Sequence, residues 1–316
     1  MAVGKPKIYF LGSGHLAVPI LERLVKSDVA VLSGFGTQQD RAAGRGKKLS
    51  PTPAGFFMEN LGFKPDKPES VNSADFLGKL RCISPDILFV ASFGQILKDE
   101  ILSLPSFACL NAHASILPAY RGASPIQAAI LNGENKSGVT FMRMNRGLDT
   151  GPAIKVYELE IRDEWKSPDL ERELGILAAR HVEEVISGVW NGKFLPVSQP
   201  DSGVSYAKKI KKEDGRLDWS LEAPALHSRV RAYYPWPCAS FEIGAGGKKI
   251  HIKITDSTVM EGVDATPGTV IAENARFAVA CGKGALVLEK IIPQGRKEMM
   301  GSDFIRGFHD VKIKTI

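Results

Sequence analysis

The sequence predicts an α/β protein whose larger, first part is built on a parallel sheet and whose last third is a smaller β-rich domain. Three observations carry this. Residues 7–35 read as strand, glycine turn, helix and strand. Asp86–Ala91 (DILFVA) is an almost unbroken apolar run, as expected of a strand covered on both faces. From Ala239 onward, short β-like runs recur between turn residues, the spacing of a small barrel or sandwich.

Taken in order, Lys7–Leu11 (KIYFL) is the first strand, Gly12-Ser13-Gly14 turns the chain, and Ala17–Val25 has helical spacing with Pro19 in its first turn. Val29–Phe35 is the second strand. The turn matches Gly12-x-Gly14-x-x-Ala17, a dinucleotide fingerprint when an acid ends the second strand. Here that strand runs into Ser33-Gly34-Phe35-Gly36-Thr37, with no acid before Asp40. The glycines are therefore read as letting the turn approach another ligand closely.

Residues 37–53 (TQQDRAAGRGKKLSPTP) break the α/β rhythm with a long Gly- and Pro-containing loop that carries Arg41, Arg45, Lys47 and Lys48. Such a set suits a phosphate backbone, or is a solvated loop; glycine and like charges predict ordering only on binding. The alternation then resumes: a helix over 74–80, strands over 86–91 and 107–113, a helix over 125–131, and strands over 137–144 and 154–159. An amphipathic helix over 168–187 places Leu170, Leu174, Leu177 and Val185 at core spacing. Residues 190–207 show no period and read as a linker. A helix over 223–232 and strands over 239–243, 249–254, 268–271, 277–280 and 286–292 complete the chain.

The polar residues to place together are Asn111, His113 and Asp149. The first two are two apart at the end of a strand and so share a face. Asp149 sits in the glycine-flanked turn Gly147-Leu148-Asp149-Thr150-Gly151 after a later strand. A carboxylate beside an imidazole favours the charged ring. A charged imidazole and a carboxamide aim two donors at one point, which suits an oxyanion developing at a carbonyl during acyl transfer. Ser115 lacks a nucleophile elbow and Cys109 lies within an apolar strand, so direct transfer to an incoming nucleophile is the expected route. One His and one carboxylate make a thin metal set, and none is expected. Capping and turn roles would also account for these three residue types.

Composition bounds the rest. The 316 residues suffice for about two domains, and 44% hydrophobic with 24% charged is ordinary for a globular protein. No apolar run is long enough to span a membrane. The opening lacks a secretory h-region, and Cys82, Cys109, Cys238 and Cys281 are widely spaced without a CxxC pair. Both features fit a cytoplasmic, reducing location. Of the net charge of +6, residues 207–316 contribute +5, from eighteen Lys/Arg against thirteen Asp/Glu. This fits an acidic partner, or a solvated basic face.

The Asn111-x-His113 motif, the loop Ser115–Gln127 (SILPAYRGASPIQ) and the GLDTG turn together resemble the folate-dependent formyltransferase family. The loop DRAAGRGKKLSPTP, the basic second domain, and the RLDWS and YYPWP motifs at 216–220 and 233–237 resemble its tRNA-directed branch over essentially the whole chain. The resemblance implies a Rossmann-like, doubly wound domain over 1–189 that binds 10-formyltetrahydrofolate as co-substrate. It also implies a linker over 190–207 and an OB-like barrel over 208–316 that holds methionyl initiator tRNA. Asn111, His113 and Asp149 would be catalytic. Ser115, Ile116, Leu117 and Pro118 would contact the folate. Arg41, Arg45, Lys47 and Lys48 would reach the tRNA acceptor end, with Arg45 the key arginine. A monomer is implied. Ala114 departs from the family's common Gly, Gln39 and Ala42 replace prolines, and no role is read for the tail from His309. Competing readings are a formyltransferase for an amino sugar or glycinamide ribonucleotide, a formyl-folate hydrolase, a catalytically inactive tRNA-binding module and a nicotinamide dehydrogenase.

Overall fold

The structure is a computed structural model that describes residues 4–43, 48–245, 248–272, 276–307 and 314–315. Two compact units divide the chain. The first gathers Met1–Pro125, Lys136–Glu160 and Glu171–Ala207; the second gathers Ile126–Asn135, Ile161–Leu170 and Lys208–Ile316.

The first unit opens with β1 (Lys7–Gly12), buried at every residue after the first. Helix α1 (Ala17–Val25) buries Ala17, Ile20, Leu21 and Leu24, the stripe that a 3.6-residue period produces. Strand β2 (Val31–Gly36) returns parallel to β1. Residues 37–53 were expected as a loop, but their flanks pair: β3 (Arg41–Ala43) runs antiparallel to β4 (Lys48–Ser50). Arms of three residues are too short to show alternation in the sequence. Helix α2 (Pro53–Asn60) follows at once, its Thr52 cap accepting from Gly55 N at 3.0 Å. Helix α3 (Ala74–Ile83), capped by Ser73, precedes β5 (Ile87–Ala91). The short α4 (Asp99–Leu102) leads to β6 (Ala108–His113) and the two-residue β7 (Arg121–Gly122). The chain continues through α5 (Pro125–Leu131), which is counted with the second unit from Ile126 on, β8 (Lys136–Arg143), β9 (Ala153–Glu160), the long α6 (Ser167–Trp190), counted with the first unit from Glu171 on, and β10 (Tyr206–Ala207).

The main sheet has the order β2-β1-β5-β6-β8-β9. Its first four strands are mutually parallel, the Rossmann-like core that the sequence predicts. Alternation along β1 covers both faces. Phe10 stacks on Phe89 at 5.6 Å, with Phe141 beyond, while Tyr9 and Leu11 join Phe76, Leu77 and Leu80 on the other side. The last two strands are added by antiparallel pairing. β8 runs antiparallel to β6, and β9 folds back on β8. The segment between β6 and β8 does not carry the chain back to the end where β6 began, so the adjacent β8 runs antiparallel to it.

In the second unit, α7 (Ala223–Tyr233) precedes β11 (Ala239–Ala245), β12 (Lys248–Met260), β13 (Val270–Ile271), β14 (Ala278–Ala280), β15 (Ala285–Pro293), β16 (Met299–Met300), α8 (Gly301–Arg306) and β17 (Lys314–Thr315). The antiparallel sheet has the order β13-β14-β15-β12-β11-β17, with β16 beside β15. The 13-residue β12 pairs with β11 on one edge and β15 on the other, with register shifts around Asp256. Trp219, Leu226, Val230, Phe241, Phe277 and Phe304 fill the core beneath it.

Candidate active site

The site grows from the end of β6. All six residues of that strand are buried, including Asn111 at 8% and His113 at 6% exposure. Burying polar side chains without partners is costly, so their hydrogen bonds define the site. His113 Nε2 lies 3.0 Å from Tyr120 O. A carbonyl only accepts, so Nε2 carries a proton and donates. The other ring nitrogen, Nδ1, lies 3.6 Å from Asp149 Oδ2, longer than a hydrogen bond. A proton gained by the ring therefore enters at Nδ1, facing the carboxylate. Among the described residues the Asn111 carboxamide has no hydrogen-bond partner, which leaves both its N–H groups for a ligand.

The sequence reading placed Asp149 in a turn after a later strand. That strand is β8, which neighbours β6 but runs the other way, so that its end lies beside the start of β6, where Met144 N donates to Cys109 O. The connection 144–152 then turns back to bring Asp149 to His113. Asp149 holds φ +52°, in the left-handed region. Its Oδ2 accepts from Gly122 N at 2.8 Å.

The loop 115–118 is held from β8. Thr140 Oγ1 donates to Ser115 O at 2.7 Å and accepts from Leu117 N at 3.0 Å. Ser115 is buried and donates its hydroxyl to Ala119 O, and Leu117 is buried as well. What this loop offers a ligand is its backbone and the half-buried Ile116 and Pro118. Neither Ser115 nor Cys109 is set up as a nucleophile. Burial pushes the Cys109 thiol up to about 12, and its Sγ lies on Leu102 O. Among the described residues no three His, Cys, Asp or Glu side chains gather as a metal site.

The glycine turn is not a ligand cradle, contrary to the sequence reading. Ser13 N and Gly14 N both donate to Ser92 O, at 3.0 and 3.1 Å, and a Cβ on Gly14 would strike the Ser92 side chain. The N-terminus of α1 is filled too, by Glu171 Oε1 accepting from Leu16 N at 3.2 Å. A carboxylate stands where a dinucleotide would bring its pyrophosphate.

Of the cations read in the basic loop, Arg41 is exposed and donates to Gln38 Oε1 at 2.6 Å. Lys48 is described only as backbone of β4, and Arg45 and Lys47 lie outside the described residues. The root of the hairpin is fastened. Gln38 Nε2 donates to Phe93 O, Thr37 Oγ1 bonds Ser13 and Thr52, and Lys67 bridges Asp40 and Glu59 at 2.6 and 2.7 Å.

Sequence reasoning missed Thr140 and Gln199. The stretch read as a linker is laid along the site loop. β10 pairs parallel with β7, Ser205 Oγ accepts from Tyr120 N, and Gln199 reaches both Arg121 and the Asp149 turn. A Pro- and Ser-rich run without a period gives no signal of such contacts.

Both parts of the chain are similar to known proteins. The sequence profile described as "Formyl transferase" matches residues 6–186, and "Formyl transferase, C-terminal domain" matches residues 209–309. The methionyl-tRNA formyltransferase of Magnetococcus marinus is 38% identical over 97% of this chain and 96% of its own length. That of Clostridium novyi is 37% identical over 98% and 99%. Two solved structures share the fold. HypX from Aquifex aeolicus in complex with tetrahydrofolic acid has a TM-score of 0.65 at 16% identity, covering 97% of this chain and 48% of its own. Methionyl-tRNA formyltransferase from Clostridium thermocellum has a TM-score of 0.53 at 15% identity, covering 80% and 93%. Matched in both parts and related end to end at this identity, the chain belongs to the formyl transferase family.

Proposed function

We propose that this protein transfers the formyl group of 10-formyltetrahydrofolate to the α-amino group of methionine esterified to initiator tRNA, giving formylmethionyl-tRNA for translation initiation. One observation carries the chemistry: His113 and Asp149 face each other beside the carboxamide of Asn111, which has no partner among the described residues. The end-to-end relation to methionyl-tRNA formyltransferases supports the substrate.

In this reading the amine attacks the formyl carbon, a C–N bond forms and the carbonyl oxygen becomes an oxyanion. Asn111 donates an N–H to that oxygen, and His113, protonated at Nδ1 toward Asp149, adds positive charge. The intermediate collapses as the bond to the folate nitrogen breaks. The proton released by the amine passes to that nitrogen through Asp149. Ser115, Ile116, Leu117 and Pro118 contact the folate. Residues 1–189 carry catalysis and folate binding. Residues 208–316 hold the tRNA, with Arg41, Arg45, Lys47 and Lys48 on its acceptor end; these cations govern KM and its salt dependence rather than kcat. The protein acts as a monomer in the cytoplasm.

The test is formyl transfer from 10-formyltetrahydrofolate to methionyl initiator tRNA, with free methionine, glycinamide ribonucleotide and an amino sugar nucleotide in parallel. Turnover with the charged tRNA alone supports the proposal. Formylation of a small amine alone keeps the chemistry and overturns the substrate.

A further inference from the structure

Gln199 precedes the last stretch of the second unit, Lys208–Ile316, by few residues, yet its carboxamide is fully occupied within the first. Nε2 donates to Asp149 O at 2.8 Å and to Gly151 O at 2.7 Å. Oε1 accepts from Arg121 Nε at 3.1 Å and from its terminal Nη2 at 2.7 Å. These four bonds use both donors and both lone pairs of the amide.

Both sides of the amide lead to the same carboxylate. On the donor side, Gln199 grips the backbone of Asp149 and of the residue two beyond it. On the acceptor side it holds Arg121, whose neighbour Gly122 gives its N–H to Asp149 Oδ2. The turn needs this support. Asp149 sits at φ +52°, a conformation that costs a non-glycine residue energy and persists only where its surroundings hold it. Leu148 beside it is 57% exposed, so hydrophobic burial does not fix the turn. Arg121 is buried at 8% exposure, so the oxygen that receives its guanidinium sets where it lies.

Glutamine alone has this chemistry at this length. Glutamate would set a carboxylate against two carbonyls, asparagine is one methylene short, and lysine and arginine have no acceptor. We infer that Gln199 is a positioning residue that holds Asp149 in its reactive place from the segment joining α6 to the second unit. This rests on the reading above that Asp149 takes part in formyl transfer.

The experiment is a mutant cycle on the full-length protein with 10-formyltetrahydrofolate and methionyl initiator tRNA. It comprises Gln199→Ala, Gln199→Glu, Asp149→Asn and the two double variants. A displacement of about 1 Å at a reacting group costs roughly a hundredfold, so Gln199→Ala should lower kcat about tenfold to a hundredfold, with either KM changed less than about twofold. Gln199→Glu keeps the bonds to Arg121 and loses those to Asp149 O and Gly151 O, and should fall nearly as far. In the Asp149→Asn background neither change should lower kcat by more than about twofold, since the residue acts through Asp149. Effects that multiply in the double variants would show a merely structural role and overturn the inference. So would Gln199→Glu at wild-type kcat, or a loss confined to the KM for tRNA. Asp149→Asn at wild-type kcat would instead overturn the catalytic reading of Asp149, and the inference with it.

Discussion

Gly122 donates its backbone N–H to Asp149 Oδ2 at 2.8 Å, and the same oxygen is the one that lies 3.6 Å from His113 Nδ1. One carboxylate oxygen is thus held from the loop after β6 while it faces the imidazole. Gly122 can do this because it is glycine. Its φ is +115°, and a Cβ there would lie 2.6 Å from Ala207 O on β10.

Gly122→Ala should therefore fail twice, by backbone strain of about 1–3 kcal/mol and by pushing β10 from β7. The expected result is a lower melting temperature together with a fall in kcat larger than any rise in KM. Thermal unfolding and steady-state kinetics on one preparation check it.

Thr140 on β8 joins the loop 115–118 to the sheet through its bonds to Ser115 O and Leu117 N. Thr140→Val keeps the shape and removes both bonds inside a fully buried site. A cost of about 1–3 kcal/mol in stability is expected for the groups left unpaired. Folate KM should rise while the KM for tRNA holds, which separate titrations of the two substrates would measure.

A third prediction concerns pH. Burial holds the His227 imidazole below its ordinary range, helped by the Arg231 charge and Lys166 and opposed by Asp256 and Asp163. Its Nδ1 bonds Ser257 Oγ at 2.9 Å. The folded state thus binds a proton less readily than the unfolded chain does. The resulting stability is complete above the ordinary histidine value of about 6.5 and declines as pH falls from there through the lowered value. Melting temperatures between pH 7.5 and 5 should drop, and His227→Gln should flatten the part of that slope near pH 6. An unchanged slope would contradict the assignment.

Much of this was legible in the sequence. The two-residue spacing of Asn111 and His113 on an apolar strand sets them on one face, and α1 and α5 fall on the residues that their periodicity marks. Other features were hidden for physical reasons. A run such as SGVTFMRM announces a strand but not its direction, so the antiparallel β8 and the returning turn of Asp149 had to be seen. The glycine turn looked like a ligand cradle because sequence cannot show that Ser92 O occupies its N–H groups. The contacts of Gln199 and Ser205 are tertiary hydrogen bonds made by a segment without hydrophobic period, and no local pattern encodes them.

The central claim is that Asn111, in company with His113 and Asp149, stabilises a tetrahedral oxyanion in formyl transfer. The most direct measurement is the single-turnover rate of formylation of methionyl initiator tRNA by Asn111→Ala with both substrates saturating. Loss of one such donor typically raises a barrier by about 2.7–4 kcal/mol, so the rate should fall by roughly two to three orders of magnitude with tRNA affinity unchanged. A rate within a few-fold of wild type, or a loss that appears only as weaker tRNA binding, would contradict the account.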